Sequence, residues 1–230
     1  AIIMMIIYHI FYDINFLDLY NFDLQDFSFK LFLYPIGTIF LLLVGISLTL
    51  SYNRSKKDET KNNLIIKFVF RGLKIFFLGL IITFVTFFYL GQGFVIFGVL
   101  HCIGISIILS IIFIRFRFLN IILGIIFIIF GIVLSSMTFD FNLFLFLGFR
   151  PVDFYTVDYF PLFPWFGVIL FGIALGNIFY PDYKRIFSLP DLSKLKIVKF
   201  FNFLGRNSLI IYFLHQPILL FLIQLFSTLN

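Results

Sequence analysis

Long apolar runs broken by short polar stretches set the rhythm of this chain. The runs occupy roughly 1–12, 31–50, 68–90, 94–114, 119–136, 159–179 and 207–226. Most are close to twenty residues, and as helices such segments match a hydrocarbon core about 30 Å thick. The pattern predicts an all-α, polytopic transmembrane helix bundle of about seven spans, forming a single domain over 1–230. Between the runs lie an acidic loop with Asp13, Asp18, Asp23 and Asp26, the very polar stretch Tyr52–Glu59 and the turn Gly91-Gln92-Gly93. Then come a tight connection bracketed by Arg115 and Arg117, a longer loop over 137–157, and a basic linker over 181–206. The first run is short and has neither an initiator Met nor a basic segment ahead of it, so it is expected to have lost its start.

Composition sharpens the class. Hydrophobic residues are 62% of the 230 and charged residues 12%, against roughly 45–50% and 25% in soluble domains. The net charge of +6 would suit nucleic acid if the cations were clustered on a soluble surface. They sit instead beside apolar runs, so no nucleic-acid partner is expected. Fifteen of the seventeen cations fall in alternate connections, with only Lys30 and Arg150 on the other side, and that excess places the basic loops in the cytoplasm. Seven of the eleven acids, Asp13, Asp140, Asp153 and Asp158 among them, then lie outside. Cys102 is the only cysteine, so an internal disulfide is excluded.

Within this apolar background the ionisable side chains draw interest, because they are costly in a membrane helix and tend to face its interior. His9 and Asp13 are one helical turn apart and share a face, as do Tyr8 and Tyr12. A carboxylate on one imidazole nitrogen fixes the tautomer and raises the basicity of the other, as a general base requires. The alternative for His9 is a structural hydrogen bond between helices. His101 and His215 also lie inside runs, with the same two readings. Pro217 follows His215-Gln216 and frees the carbonyl of Phe213, which leaves polar backbone beside an imidazole. Arg71, near the cytoplasmic edge of its run, either snorkels to the interface or holds a phosphate with its planar fork. Lys74, Arg115, Arg117 and Arg206 are weaker candidates of that kind. Asp158 and Trp165 stand at the outer mouth of the sixth run, and Trp165 also suits an interfacial anchor. Gly37 and Gly45, and Gly172 and Gly176, permit close helix contact, although glycine is simply common in membrane helices. Nucleotide loops and metal motifs of the GxGxxG, Walker, CxxC or HExxH kind are absent, and no metal is expected.

Several stretches taken in order resemble the family of the heparan-alpha-glucosaminide N-acetyltransferase catalytic domain, and more distantly the type-3 acyltransferases. They are Ala1-Ile2-Ile3-Met4-Met5 with His9 and Asp13, 40–47, Arg71-Gly72, Phe97-Gly98-Val99-Leu100-His101-Cys102-Ile103-Gly104, Asp158-Tyr159-Phe160-Pro161 with Pro164-Trp165, and Gly205-Arg206-Asn207-Ser208-Leu209 with Tyr212 and His215-Gln216-Pro217. In the type-3 group an Arg-Gly pair precedes the histidine, and here it would lie just before Ala1. In the lysosomal enzyme the proposed active histidine lies in the loop after the first of these spans. The corresponding loop, 14–30, has none, so His9 takes that role on physical grounds.

The resemblance implies transfer of an acyl group, acetyl above all, from cytosolic acetyl-CoA to a sugar amine or hydroxyl across the cell membrane. On this reading His9, Asp13 and His215 are catalytic. Arg71, Lys74 and Arg206 hold the phosphates of acetyl-CoA, and His101, Asp158 and Arg150 meet the acceptor. The implied partners are the lipid bilayer, acyl-CoA and a glycan or glycolipid acceptor, with a homodimer left open. Two other classes stay in view: a proton-coupled transporter using the same histidines as a relay, and a structural membrane subunit whose polar residues only join helices.

Overall fold

The computed structural model describes residues 1–23, 27–181, 184–188 and 190–229, with side chains for all of these except 27–30, 32–34 and 229. Asp26 of the acidic loop and the side chain of Lys30 fall outside the described residues. The described chain is helical: α1 (Ile2–Phe16), α2 (Phe27–Ser55), α3 (Lys61–Leu90), α4 (Val99–Phe113), α5 (Phe118–Ser135), a 3-10 turn at Leu145–Leu147, α6 (Leu162–Phe179), α7 (Lys196–Arg206) and α8 (Ser208–Leu229). Strand-like pairing among the described residues is limited to two isolated parallel bridges, Phe97 with Tyr159 and Phe139 with Pro151. Five helices are long and apolar enough to cross a membrane: Pro35–Ser55 of α2, α3, α5, α6 and Ser208–Thr228 of α8. The apolar helices α1 and α4 have 15 residues each, about 22 Å at 1.5 Å per residue. The seven expected spans are thus five full-length helices and two shorter ones.

Three expected boundaries move. Asp13 lies inside α1, three residues before its end, rather than opening a loop. The fourth helix starts at Val99 instead of at 94, because the residues before it run extended beside 156–160: Phe160 N–H donates to the Phe97 carbonyl at 2.9 Å and Val157 N–H to that of Gly93 at 2.9 Å. The basic linker contains α7. Ile197, Phe201 and Leu204 share one face of it and Lys199, Asn202 and Arg206 the other, the period of an amphipathic surface helix.

The chain forms two compact units, Ala1–Phe40 with Ser188–Asn230, and Leu41–Phe187. In the second, helices meet along small residues. A Cβ on Gly45 would stand 2.2 Å from the Ile169 carbonyl oxygen, and one on Gly172 2.2 Å from that of Leu42. Four residues on, Gly176 faces Thr49, whose hydroxyl bonds the carbonyls of Gly45 and Ile173. The register 45 to 172 and 49 to 176 makes α2 and α6 parallel there. Gly72 and Gly104 bring α3 and α4 together, and Gly124 and Gly167 do so for α5 and α6. These are the close approaches that small residues allow between helices in lipid, where apolar burial alone gives no preference for protein over lipid tails.

Helix ends are closed by particular side chains. The Thr60 hydroxyl accepts from Asn63 N–H and caps α3, and Gly91, at φ +69°, ends it. The tight turn after α4 is held by two amides: Asn120 donates to the carbonyls of Phe113 and Phe116, and Asn177 to those of Ile114 and Phe116. These bonds satisfy carbonyls that a helix C-terminus leaves without partners. Phe70, Phe84 and Phe88 of α3 are 69, 65 and 70% exposed, as expected of a lipid-facing surface.

Candidate active site

Two of the three histidines come together. The His9 and His215 rings lie 4.7 Å apart between centroids, inclined at 62°. They project from α1 and α8 of the first unit, and one turn or one residue further along the same helices Gln216 donates from its amide nitrogen to Asp13 Oδ1. Asp13 is completely buried. Tyr8 and Tyr12 flank His9 at 5.6 and 6.4 Å, and their own rings lie 6.2 Å apart along one face of α1, as their spacing implies. Tyr212 packs at 5.7 Å from His215, which encloses the imidazoles in aromatic rings.

The hydrogen bonds fix part of the proton arrangement. His215 Nδ1 is 2.7 Å from the carbonyl oxygen of Tyr212. A carbonyl only accepts, so Nδ1 carries the hydrogen and, in the neutral ring, Nε2 is a free base. That Nε2 is buried and has no hydrogen-bond partner among the described residues, and the same is true of His9 Nδ1, Asp13 Oδ2 and Gln216 Oε1. Buried polar atoms are nearly always paired; these four lie on two touching helices, whereas the fifth such atom among the described residues, Asn120 Oδ1, belongs to the second unit. Three of the four, the carboxylate oxygen, the amide oxygen and His215 Nε2, are hydrogen-bond acceptors.

The expected partnership of Asp13 with His9 takes a different form. Among the described residues Asp13 bonds Gln216 across the helix pair and not His9 along its own helix. Neighbours at i and i+4 share a face, but α8 brings an amide donor to the carboxylate. Gln216 is therefore a site residue that charge and histidine counting passes over. Its sequence signal was its place directly after an intramembrane histidine.

The remaining candidates lie elsewhere. His101, 2% exposed, belongs to the second unit. Its Nδ1 accepts from Gly98 N–H at 3.2 Å and its Nε2 lies 3.5 Å from the Thr83 hydroxyl, so both ring nitrogens are used in closing the start of α4. Asp158 Oδ2 accepts from Val99 N–H at 3.2 Å at the same helix end. Arg150 donates to the Ser135 carbonyl, and Arg71 Nη1 to the Ser51 hydroxyl at 3.3 Å. Lys74 is exposed on α3. Arg206, at the end of α7, belongs to the unit that holds His9 and His215. No group of three histidine, cysteine or acidic side chains among the described residues is arranged to hold a metal ion.

Comparison with known proteins agrees with the resemblance read from the motifs. No curated protein and no solved structure matches the chain. A family model does, over residues 1–217, and it reaches from α1 through His215 and Gln216 to Pro217. It takes in both halves of the histidine site, and by it this chain belongs to the family of the heparan-alpha-glucosaminide N-acetyltransferase catalytic domain.

Proposed function

We propose that this protein is a multispan acyltransferase of the cell membrane. It takes an acyl group, acetyl above all, from acyl-CoA on the side of the basic loops and delivers it to an amine or hydroxyl of a sugar or glycolipid on the other side. The observation that carries this reading is the set of unpaired buried polar atoms on His9, Asp13, His215 and Gln216, within a family of acetyltransferase domains.

The fixed tautomer gives each group a task. His215 Nε2 takes the proton of the acceptor's N–H or O–H as its heteroatom bonds the thioester carbonyl carbon. The C–S bond then breaks, and the sulfur leaves as the CoA thiol with a proton returned from the imidazole pair, in which His9 is the second member. Such proton transfer contributes about 10²–10⁴-fold. Asp13, held by Gln216, offers its second carboxylate oxygen, Oδ2, to the N–H or O–H donors of the incoming acceptor. Arg71, Lys74 and Arg206 are assigned to the phosphates of acetyl-CoA, for which guanidinium forks and ammonium groups are suited. Asp158 and Arg150 are assigned to the acceptor. His101 takes no part in the transfer itself, because its ring is occupied in the fold.

The test is release of CoA thiol by the full-length protein in proteoliposomes, with acetyl-CoA and a panel of amino sugars and neutral sugars. Thiol release that requires an acceptor and disappears in His215→Ala supports the assignment. A protein that releases no thiol with any acceptor, yet moves protons with a solute down a pH gradient, is a transporter.

A further inference from the structure

A cavity of about 420 Å³ lies in the second unit, where the last turn of α2, the first turns of α3 and the end of α4 meet. Its apolar wall is formed by Leu64, Phe68, Ile111 and Ile112, and Lys61 and Arg115 line it as well. No acid lines it among the described residues. The nearest carboxylate in sequence that has a cation partner, Glu59, is paired with Lys67 at 2.7 Å, and Lys67 also bonds Ser55. Neither Lys61 nor Arg115 has a carboxylate partner among the described residues.

Arg115 is held in place. Its Nε donates to the Tyr52 hydroxyl at 2.7 Å, and its guanidinium carbon is 5.9 Å from the centre of the same ring. One of its five N–H donors is thereby used, and the outward fork stays available to a planar or tetrahedral oxyanion. This cavity therefore combines two chemistries along one wall: a cationic mouth at helix ends and a hydrocarbon surface leading into the span. Arg54, Lys56, Lys57 and Arg117 lie in the same two connections, so the mouth is at the cation-rich end of these helices, where headgroups sit. Basic pockets between spans at that level suit anionic lipid headgroups.

We infer that this cavity binds an anionic phospholipid, with the phosphodiester between Arg115 and Lys61 and an acyl chain against Leu64, Phe68, Ile111 and Ile112. The occupant follows from charge and shape together: a free phosphate leaves the apolar wall uncovered, and a zwitterionic lipid carries its own cation to two cations that have none to oppose. The site does not depend on the acyl-transfer reading, and none of its residues belongs to the histidine cluster.

The experiment is native mass spectrometry of the detergent-purified full-length protein, titrated with phosphatidylglycerol or phosphatidylcholine of matched short chains. Phosphatidylglycerol is expected to bind preferentially. Lys61→Gln, an exposed change that leaves the fold intact, is expected to weaken that lipid about fivefold and phosphatidylcholine hardly at all, from about 1 kcal/mol per surface cation. Ile112→Trp, which fills the apolar wall from an exposed position, is expected to weaken both. Equal binding of the two lipids, or phosphatidylglycerol binding untouched by both variants, overturns the proposal. So does displacement of phosphatidylglycerol by desulfo-coenzyme A at equal concentration, which would give the cavity to a nucleotide amphiphile.

Discussion

The two places where histidine meets a polar neighbour inside this protein are built to opposite ends. Around His101 every bond closes: both ring nitrogens, the Gly98 and Val99 amides and the Asp158 carboxylate have partners, and together they fasten the start of α4. Around His9 and His215 the bonds stop short, and four buried polar atoms have no hydrogen-bond partner among the described residues. An imidazole by itself says little about function in a membrane helix. The accounting of its neighbours separates a histidine whose ring nitrogens are both bonded within the fold from a pair that keeps unpaired polar atoms, to which the proposed function assigns a reactant.

The sharpest way to break the comparison is to delete one histidine from each place. His215→Ala is expected to lower acyl transfer by about 10²–10⁴-fold, while the melting temperature in detergent stays close to that of the parent. Equal losses of activity and stability would make the His9–His215 pair structural, like His101. The next largest effect belongs to the framework of the second unit. Gly172→Leu drives a side chain into the Leu42 carbonyl and the Gly45 backbone and is expected to cost about 3 kcal/mol, the upper part of the range for overpacking. It should be read as loss of monodisperse protein in size-exclusion chromatography.

His101→Ala removes the acceptor of Gly98 N–H and the partner of Thr83, and is expected to cost about 1–2 kcal/mol of stability. Activity per folded molecule, measured as thiol release against the monodisperse fraction, is expected to be unchanged. The smallest effect sharpens the comparison rather than breaking it. Gln216→Ala leaves both imidazoles and frees Asp13, and about a tenfold fall in kcat is expected, equivalent to about 1.4 kcal/mol. Gln216→Glu should be worse than Gln216→Ala, because it sets two carboxylates against one another.

Much of this was legible in the sequence, and the parts that were not share a cause. Apolar run length located all the long helices, because crossing a bilayer imposes one length and one composition. The pairing of α1 with α8 was not legible. His9 and His215 are 206 residues apart, and no local pattern says which helix an imidazole will face. The His9–Asp13 spacing correctly put both on one face, yet the donor that Asp13 uses comes from Gln216. α7 was missed for another reason. Its cations read as a linker, and the 3.6-residue recurrence of Ile197, Phe201 and Leu204 is masked by Phe200 and Phe203 beside the polar face. The start of α4 shifted because Thr156, which donates to the Phe94 carbonyl at 2.7 Å, and Asp158 bind the preceding segment in an extended form, a tertiary effect over sixty residues.

If the cluster carries the proposed acyl transfer, its being composed so largely of acceptors also bears on how the cycle would end. An incoming amine or alcohol brings the N–H or O–H donors that Asp13 Oδ2, Gln216 Oε1 and His215 Nε2 lack. Acylation removes a donor from that heteroatom and, for an amine, its ability to carry a positive charge. The finished ester keeps no donor on that oxygen and the finished amide keeps a single N–H, so either product offers these acceptors fewer hydrogen bonds than the substrate did. On the proposed reading, the same unpaired atoms that attract the substrate would loosen the hold on the product, without a moving part.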